Sequence, residues 1–409
     1  MDKCKYCGNR NILPFYKSTY PLYSLPLQKM KKNKILSEGG SSFLLITTLT
    51  YYYCENCGLT FSNISKKENE IINQIYGELY NFISPLASNI ATSEIDSYIK
   101  NLNLFLSKIK SVLGIGCFDG YVLHQIQKRG IKVLGIDPSK AGVKIAKDHG
   151  IKVINDFFTS SMFNKEKFDA IISRHVIEHV EHPFDFLKEQ IEILNKNGFI
   201  SFETPNTDWF ILKGNDEAFH SQHQILLTKK FIIKLLEDLD IKYAYIKEFD
   251  HRIIILFSLY LLDELIPLRS LKGKIEMESL GLKNRLISFQ DKADSKVNII
   301  RQLLFKHHEE NKIAIWGAGS FTGNLLPRIK ELSRVKCIVD SDSRKQDMEF
   351  LHSEIPIVSP NYFYQQNIDI LFIFSQFADE IVVQLRKKGL INRLKYVYRF
   401  FPKFEVINE

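Results

Sequence analysis

The chain has 409 residues, of which 45% are hydrophobic and 25% are charged, a composition typical of soluble globular proteins. Its formal net charge of +8 comes from 55 Lys and Arg against 47 Asp and Glu, and the excess is scattered apart from a short basic run, KMKKNK, at residues 29–34. The length predicts two or three domains. The scattered charge disfavours a protein that binds nucleic acid through one basic surface.

Two further features bear on location. The N-terminal sequence MDKCKYCGNR is polar and lacks the pattern of a secretory signal peptide. The most apolar run, IIILFSLYLL at residues 253–262, is too short to span a bilayer, and we expect a buried helix there. The sequence therefore predicts a cytoplasmic protein with reduced cysteines and no membrane association.

The first motif along the chain is a pair of Cys-x-x-Cys sequences, CKYCG with Cys4 and Cys7, and CENCG with Cys54 and Cys57. The trailing glycine permits a tight turn in which two thiolates can bind one ion. Four thiolates complete a tetrahedral site with no open position, so the pattern predicts a structural Zn²⁺ ion. The alternative is two redox motifs or unrelated thiols.

Strand and helix patterns alternate after residue 110, in SVLGIG, DGYVLHQIQKRG, KVLGIDPS, AGVKIAKDHG, KVINDFF and FDAIISRHVIEHV. This alternation predicts an α/β fold with a doubly wound parallel sheet that binds ligands at the carboxyl ends of its strands. The first strand runs into a glycine-rich bend with Gly114, Gly116 and Gly120, where a ligand can approach the backbone closely.

Acidic residues follow the next two strands. Asp137 ends the second strand, where a carboxylate can accept both hydroxyls of a ribose. Asp156 follows the third strand, where it can receive the exocyclic amine of an adenine, with Phe157 against the ring. Asp137 can alternatively be a turn-forming residue before Pro138. Together these positions favour a ligand that contains ribose and adenine.

The motifs VLGIGCFDGYVL, GIDPS, NDFF, RHVIEHVEHP and FETPN, in this order, resemble those of class I S-adenosylmethionine (SAM)-dependent methyltransferases over residues 104–239. The resemblance implies a Rossmann-like sheet and SAM as the cofactor. The residues implied to bind SAM are Gly114, Gly116, Asp119, Gly120, Asp137, Asp156 and Phe157. The family usually has an acid at the position of Gly114 to hold the methionine amino group, and Asp119 is the candidate to compensate.

Histidines follow the fourth strand. The stretch HVIEH at residues 175–179 matches the H-x-x-E-H pattern of zinc proteases, but no third ligand in a suitable context comes after it, so we expect no metal there. His179 should lie at the mouth of the predicted pocket, where it can hydrogen-bond a substrate oxygen. His220 and His223 lie in a predicted loop, where a histidine can act as a general base or simply pack the loop.

The last third begins with a helical, charged segment and continues with a second strand–glycine turn–helix unit, KIAIWGAGSFTGNLL, followed by a strand that ends at Asp340. This lobe either binds a dinucleotide through Asp340 or retains the fold without a cofactor. The sequence thus predicts four parts: a zinc-binding module (1–75), a methyltransferase domain (76–250), a helical connector (251–310) and a Rossmann-like substrate-binding lobe (311–409).

The order of these parts, with PLYSLPL in the first and GAGSFTGNLL, VDSD and IPIVSP in the last, resembles nucleotide-sugar C-methyltransferases over nearly the whole chain. Members of that family methylate carbon 3 of a thymidine-diphosphate (dTDP)-linked 4-ketohexose, and their last lobe helps to enclose the nucleotide sugar without using NAD.

The same resemblance implies catalytic roles for three histidines. The family base lies in a Tyr-His-Glu-His stretch, where this chain has HSQH. His223 therefore matches the base, His220 stands at the tyrosine and Gln222 at the glutamate, while His179 matches a second histidine near the sugar. Methylation of a carbon beside a ketone requires a base to form an enolate, whose oxygen then needs hydrogen bonds.

Three alternatives stay open. The same scaffold could methylate an oxygen or nitrogen of a sugar or glycan precursor. An RNA methyltransferase could use the zinc module and the basic run at residues 29–34 on phosphates, although nucleic acid fits the rest of the chain poorly. Gly114 permits a non-catalytic binding protein. We expect a small nucleotide-sugar substrate and a monomer or weak homo-oligomer.

Overall fold

A computed structural model describes residues 1–21, 27–29, 46–78, 93–164, 166–307, 311–329, 332–343, 345–350, 353, 355–375, 377–400 and 404–408. Residues 22–26 of the PLYSLPL motif and residues 30–34 of the basic run lie outside these ranges. The chain divides into two compact units: unit 1 contains Met1–Lys17 and Thr50–Gln290, and unit 2 contains Ser18–Leu49 and Asp291–Glu409. The boundaries of the four parts drawn from the sequence stay predictions.

The strands before residue 291 are β1 (Ile12–Pro21), β2 (Leu27–Lys29), β3 (Ile46–Cys54), β4 (Leu59–Ser62), β5 (Ser111–Ile115), β6 (Lys132–Ile136), β7 (Val153–Ile154), β8 (Phe168–Arg174), β9 (Leu194–Pro205), β10 (Ile225–Leu227), β11 (Tyr243–Glu248), β12 (Arg252–Ser258) and β13 (Ile266–Pro267). The strands after it are β14 (Ile313–Trp316), β15 (Val335–Val339), β16 (Met348–Phe350), β17 (Ile357–Val358), β18 (Ile370–Ile373), β19 (Tyr396–Arg399) and β20 (Glu405–Val406).

The α-helices are α1 (Lys66–Glu78), α2 (Ser93–Leu102), α3 (Tyr121–Gln127), α4 (Lys140–Asp148), α5 (Pro183–Glu192), α6 (Thr207–Lys213), α7 (Lys229–Asp238), α8 (Leu268–Ile287), α9 (Phe289–Lys306), α10 (Ser320–Leu325), α11 (Pro360–Gln365) and α12 (Ala378–Lys387). Among the residues that the structure describes, none of these helices is both long and apolar enough to cross a membrane.

The main sheet of unit 1 has the strand order β13-β11-β12-β9-β8-β5-β6-β7. Strands β5 to β9 run parallel, and β12 pairs antiparallel with both β9 and β11. The chain moves outward from β5 through β6 and β7, then returns to β8 on the other side of β5. This reversal confirms the predicted doubly wound sheet and creates the crevice where such sheets bind ligands, beyond the carboxyl ends of β5 and β8.

The apolar run at residues 253–262 is not the predicted helix. Arg252–Ser258 forms β12, every residue of which is buried between β9 and β11. A continuous apolar run has no periodicity that separates a buried strand from a buried helix, and the three successive isoleucines favour the strand. The run leaves the core after Ser258, where Leu259 and Leu261 are exposed.

The two faces of the main sheet bury different residues. On β5, Leu113 and Ile115 face one hydrophobic cluster, whereas Val112 belongs to the cluster on the opposite face. The first cluster also contains buried cysteines of the N-terminal segment, together with Phe61 of β4 and Phe231 of α7. The cysteine-bearing segment is therefore part of the hydrophobic core that packs on the main sheet.

A smaller sheet with the strand order β1-β3-β4-β10 completes this arrangement. β4 pairs antiparallel with β10, so that Phe61 lies opposite Ile225 and Leu59 opposite Leu227. Because β10 begins shortly after His223, the pairing holds one end of the loop that contains the predicted base.

Unit 2 contains the second predicted α/β sheet, with the strand order β17-β15-β14-β18-β19-β20. The carboxylate of Asp340, at the end of β15, accepts the N–H of Ala318 at 2.9 Å and the ammonium group of Lys345 at 3.2 Å. Lys345 is buried and also donates to the carbonyl oxygen of Ala318 at 2.9 Å. Lys345 thus already donates to the carboxylate that the sequence assigns to a dinucleotide ribose, and both interpretations of the lobe stay predictions.

Candidate functional site

The glycine turn after β5 forms the centre of the predicted cofactor site. Gly116 has a φ of +64° and Gly120 a φ of +76°, so both occupy the left-handed region that favours glycine. The N–H of Gly116 donates to the carbonyl oxygen of Ile136 at 2.8 Å, which holds the turn against the end of β6. The backbone of the turn is therefore fixed at the crevice edge of the sheet.

Gly114 lies inside β5 and is buried. A Cβ atom at this position would lie 2.9 Å from Cδ2 of Leu123, so this leucine of α3 fills the space that an acidic side chain would need. Asp119 is also buried, and its carboxylate accepts the N–H of Tyr121 at 3.0 Å, at the start of α3. Leu123 thus packs where the family has its acid, while compensation by Asp119 stays a prediction.

Asp137 follows β6 and faces the glycine turn. One carboxylate oxygen accepts the N–H of Phe118 at 2.7 Å, and the other accepts the N–H of Ser139 at 2.8 Å. Burial raises the pKa of Asp137 to about 6, against the lowering effect of these two donors. A carboxylate oxygen accepts more than one hydrogen bond, so this turn-forming role is compatible with binding ribose hydroxyls.

The segment after β7 lies beside Asp137. The side-chain amide of Asn155 donates to the carbonyl oxygen of Asp137 at 3.0 Å. The next two residues are exposed: Asp156 accepts the N–H of Phe157 at 2.8 Å, and the Phe157 side chain is 49% exposed. The structure therefore brings the glycine turn, the predicted ribose acid and the predicted adenine residues to one edge of the sheet.

The three predicted catalytic histidines lie side by side. The ring centroids of His179 and His223 are 4.9 Å apart, and those of His220 and His223 are 3.8 Å apart. Burial lowers the pKa of all three side chains, that of His220 to about 3, and neighbouring imidazoles lower the pKa of His220 and His223 further. All three rings are therefore neutral near neutral pH.

Backbone carbonyls determine which ring nitrogen carries the hydrogen on two of these histidines. Nδ1 of His223 lies 2.6 Å from the carbonyl oxygen of Ala218, and Nδ1 of His179 lies 2.9 Å from that of Gln222. A carbonyl oxygen can only accept, so the hydrogen of each neutral ring is assigned to Nδ1. Nε2 of each ring is left with the lone pair that a general base or a metal ligand requires.

Sequence reasoning missed two residues at this site. The hydroxyl of Tyr76, on α1, lies 2.9 Å from Nδ1 of His179 and accepts from the side-chain amide of Gln222 at 3.1 Å. Glu178 is fully buried, and its ligand atom and those of His179 and His223 all lie within 4.8 Å of one another. His175, the first histidine of HVIEH, is not part of this group, and the expectation that the motif binds no metal stays a prediction. The motif itself signalled Glu178, whereas no pattern signalled Tyr76.

A buried charge network lies behind the histidines, at the ends of β8 and β9. The carboxylate of Glu203 accepts from Arg174 at 2.7 Å and from Arg252 at 2.8 Å, and Nε2 of His175 lies 3.5 Å away. Burial acts to raise the pKa of Glu203, but these cations hold it at about 2. Burial acts to lower the pKa of His175, but Glu178 and Glu203 raise it to about 9.

The four predicted metal ligands also converge. Sγ of Cys4 lies 3.7 Å from Sγ of Cys57, and Sγ of Cys7 lies 3.6 Å from Sγ of Cys54. All four sulfur atoms lie within 4.8 Å of one another, in two glycine-ended turns of the same kind. This donor set and spacing fit one tetrahedral metal ion.

The sheet order, the glycine turn and the acid after β6 define the class I SAM-dependent methyltransferase fold. Residues 88–248 match the family described as a methyltransferase domain, and residues 272–393 match the C-methyltransferase C-terminal domain. The chain therefore belongs to the SAM-dependent methyltransferases, in the family whose members carry this C-methyltransferase C-terminal domain.

Two curated relatives each match about a third of the chain. A ubiquinone biosynthesis O-methyltransferase of Pelagibacter ubique is 32% identical over 162 residues, which cover 36% of this chain and 67% of that protein. A protein of the same name from Histophilus somni is 28% identical over 138 residues, covering 31% and 54%. The chain thus spans about half to two thirds of the length of these two relatives.

Solved structures resemble about two fifths of the chain. A SAM-dependent methyltransferase from Archaeoglobus fulgidus is 15% identical, with a TM-score of 0.37, and the match covers 41% of this chain and 95% of that one. A SAM-dependent methyltransferase from Thermotoga maritima, titled a possible histamine N-methyltransferase, is 17% identical with a TM-score of 0.34, and the match covers 41% and 89%.

We expect Gly116→Ala to destabilise unit 1 and to abolish binding of S-adenosylhomocysteine. A Cβ atom at Gly116 would lie 2.3 Å from Cγ2 of Val176, in addition to the strain of a left-handed alanine. Gly130→Ala is the matched control, because Gly130 has a φ of +81° and no described atom would contact its Cβ. The control should lose only roughly 1–2 kcal/mol of stability, which is the cost of a left-handed conformation for alanine. Thermal unfolding and calorimetric titration measure both effects, and equal losses in the two variants would contradict the assignment.

The affinity for S-adenosylhomocysteine should fall as the pH is lowered through about 6, the raised pKa of Asp137. The carboxylate accepts ribose hydroxyls above this pH and is protonated below it, so one pH unit below the pKa should weaken binding about tenfold. Calorimetric titration across this range provides the measurement. Asp137→Asn should bind weakly without this dependence, and Asp148→Asn, on the exposed end of α4, should keep it. A wild-type affinity that does not change with pH would exclude Asp137 as the ribose acid.

Proposed function

We propose that this methyltransferase methylates the carbon next to the ketone of a nucleotide-linked, dTDP-type keto-sugar. The observation that supports this most is the buried histidine group, in which His223 presents an unprotonated Nε2 while Ala218 fixes its Nδ1–H. The match to the C-methyltransferase C-terminal domain supports carbon as the methylated atom. The choice of sugar rests on the resemblance of the motifs.

In the proposed mechanism His223 removes the proton next to the ketone, which leaves an enolate. The imidazolium that forms is stabilised by the buried carboxylate of Glu178, whose ligand atom lies within 4.8 Å of that of His223. Burial and the neighbouring rings lower the pKa of His223, so the ring is unprotonated before the proton is transferred. SAM, when bound at the glycine turn, supplies the methyl group that the enolate carbon attacks.

The other residues of the group position the base and the enolate. His179 donates to the carbonyl oxygen of Gln222, which ties the turn after β8 to the loop that carries His223. The hydroxyl of Tyr76 lies against the same nitrogen of His179 and provides a polar group for a substrate oxygen. The ring of His220 lies against that of His223, with the centroids 3.8 Å apart and the planes tilted by 37°.

Methylation of a sugar oxygen is the second candidate, because these two curated relatives are named O-methyltransferases. Either reaction can use His223 as the base, since a hydroxyl and a carbon next to a ketone both release a proton to a neutral imidazole. The two reactions differ in whether a carbon-bound hydrogen exchanges with solvent.

We further propose that the four-cysteine cluster binds a structural Zn²⁺ ion. The cysteines supply all four positions of a tetrahedral site, so the ion has no open position for catalysis. Its function is to fix the position of β4 and to stabilise the core of unit 1, since three of the cysteines lie in the hydrophobic cluster that includes Phe231.

The test of C-methylation is solvent exchange. Protein with S-adenosylhomocysteine and a dTDP-4-keto-6-deoxyhexose in D₂O should incorporate deuterium next to the ketone, as observed by NMR. His223→Ala should slow this exchange at least about 100-fold, the usual contribution of a general base. His182→Ala, at an exposed histidine outside the group, should leave the rate unchanged. Wild-type exchange that persists in His223→Ala contradicts the assignment, and methyl transfer to a hydroxyl without exchange supports O-methylation.

Cys54→Ser should lower both the zinc content and the thermal stability of the protein, because Cys54 is fully buried and shares a core with Phe61 and Phe231. Cys337→Ser is the control, since Cys337 lies in unit 2, outside the cluster. Elemental analysis of purified protein should give one zinc per chain for wild type and for the control. If wild-type protein without zinc is as stable as wild-type protein with zinc, the ion is not structural.

A further inference from the structure

Glu178, His179 and His223 form a group of metal-ligating side chains apart from the cysteine cluster. Their ligand atoms all lie within 4.8 Å of one another, and the group is largely buried. Two of the three come from the turn after β8, and the third comes from the loop before β10. Two imidazoles and one carboxylate are a donor set that binds zinc and other divalent first-row metals and leaves coordination positions open.

The hydrogen bonds of the two imidazoles suit a metal site. Both rings donate Nδ1–H to a backbone carbonyl, His179 to Gln222 at 2.9 Å and His223 to Ala218 at 2.6 Å. Metal-binding histidines are typically held in this way, because the donated hydrogen fixes the ring and directs the Nε2 lone pair at the ion. The two rings need no rearrangement of hydrogens to act as ligands.

The carboxylate is held in the same manner. One oxygen of Glu178 accepts from the hydroxyl of Thr204 at 3.1 Å, and the other lies 3.2 Å from Nδ1 of His175. These contacts orient Glu178 and leave further lone pairs on both oxygens, since an ionised carboxylate accepts about four hydrogen bonds. The partners of Glu178 thus correspond to the outer groups that orient a ligating carboxylate.

An unpartnered polar atom lies beside the group. Nδ1 of His220 is buried and has no hydrogen-bond partner among the residues that the structure describes. Its side chain is more than nine-tenths buried, and its ring stacks at 3.8 Å on that of His223. A buried, unpaired ring nitrogen at this position indicates that the site receives a ligand or a water molecule that protein atoms do not replace.

We propose that Glu178, His179 and His223 bind one divalent first-row transition-metal ion, and that this ion competes with the substrate proton for Nε2 of His223. The metal site stands on the geometry of the three side chains, whereas the competition rests on the proposed function of His223 as the base. An ion bound there occupies the lone pair that the base uses, so the metal-loaded protein does not form the enolate.

Cobalt is the probe that separates this site from the cysteine cluster. Protein that contains one zinc ion per chain, at the four cysteines, is titrated with Co²⁺ in the absence of SAM and of any sugar, and followed by calorimetry and visible absorption. We expect one further equivalent with the weak bands of nitrogen and oxygen ligands and without thiolate charge-transfer bands. Glu178→Gln and His179→Ala should each weaken binding more than about tenfold. His182→Ala, at an exposed histidine nearby, should bind like wild type.

Several outcomes would overturn the metal site: no binding, equal binding in both ligand variants, or thiolate bands alone, which would place cobalt at the cysteines. Thermal melts show whether each variant folds. If His179→Ala does not fold, the isosteric variant Glu178→Gln alone tests the site. The competition is measured by solvent exchange of the keto-sugar with and without Co²⁺. Inhibition that a chelator reverses supports it, and acceleration refutes it. Absent exchange without metal refutes the proposed function and the competition with it, while the cobalt titration still decides the metal site.

Discussion

The antiparallel pairing of β4 with β10 is the constraint on which the catalytic end of unit 1 depends. β4 follows the second cysteine pair directly, and β10 follows the loop that contains His223. A ladder between them places the cysteine segment and the catalytic loop in one sheet, and the same residues pack in one core with α7. The cysteine turns and the histidine group are therefore linked through one pair of strands and one hydrophobic core.

Ion pairs allow charged side chains to be buried at the edge of the main sheet where its crevice lies. Glu203 is fully buried, and it is tolerated because two arginines and His175 surround its carboxylate. Removing one partner from such a network leaves an unpaired buried charge, which destabilises a protein more than the pair stabilised it. The network also keeps His175 protonated next to Glu178, whereas the neighbouring histidines stay neutral. Two populations of histidine with opposite charge states thus coexist within a few residues of chain.

The sequence predicted the parallel strands of both sheets well, because alternating apolar strands, glycine turns and amphipathic helices leave a local pattern. The cysteine cluster was equally visible from spacing. The prediction failed for β12, whose continuous isoleucine run has no period that excludes a helix. It also missed Tyr76 and the assembly of Glu178 with His223, because these depend on segments brought together only by the fold. Local patterns identify a strand and its loop, but they contain no information on which distant side chain lies opposite.

Lys345 gives unit 2 a property that unit 1 lacks. Its ammonium group, bound to Asp340 and to the carbonyl oxygen of Ala318, provides from within the chain the hydrogen-bond donors that ribose hydroxyls would otherwise provide. In unit 2, the carboxylate that follows β15 is therefore already bound by groups of the chain itself. These contacts stabilise unit 2 without any bound molecule, whereas unit 1 becomes more stable as its cofactor accumulates, through mass action. The stability of unit 1 therefore responds to the supply of the cofactor, and an ion pair within the chain contributes to that of unit 2 at any supply.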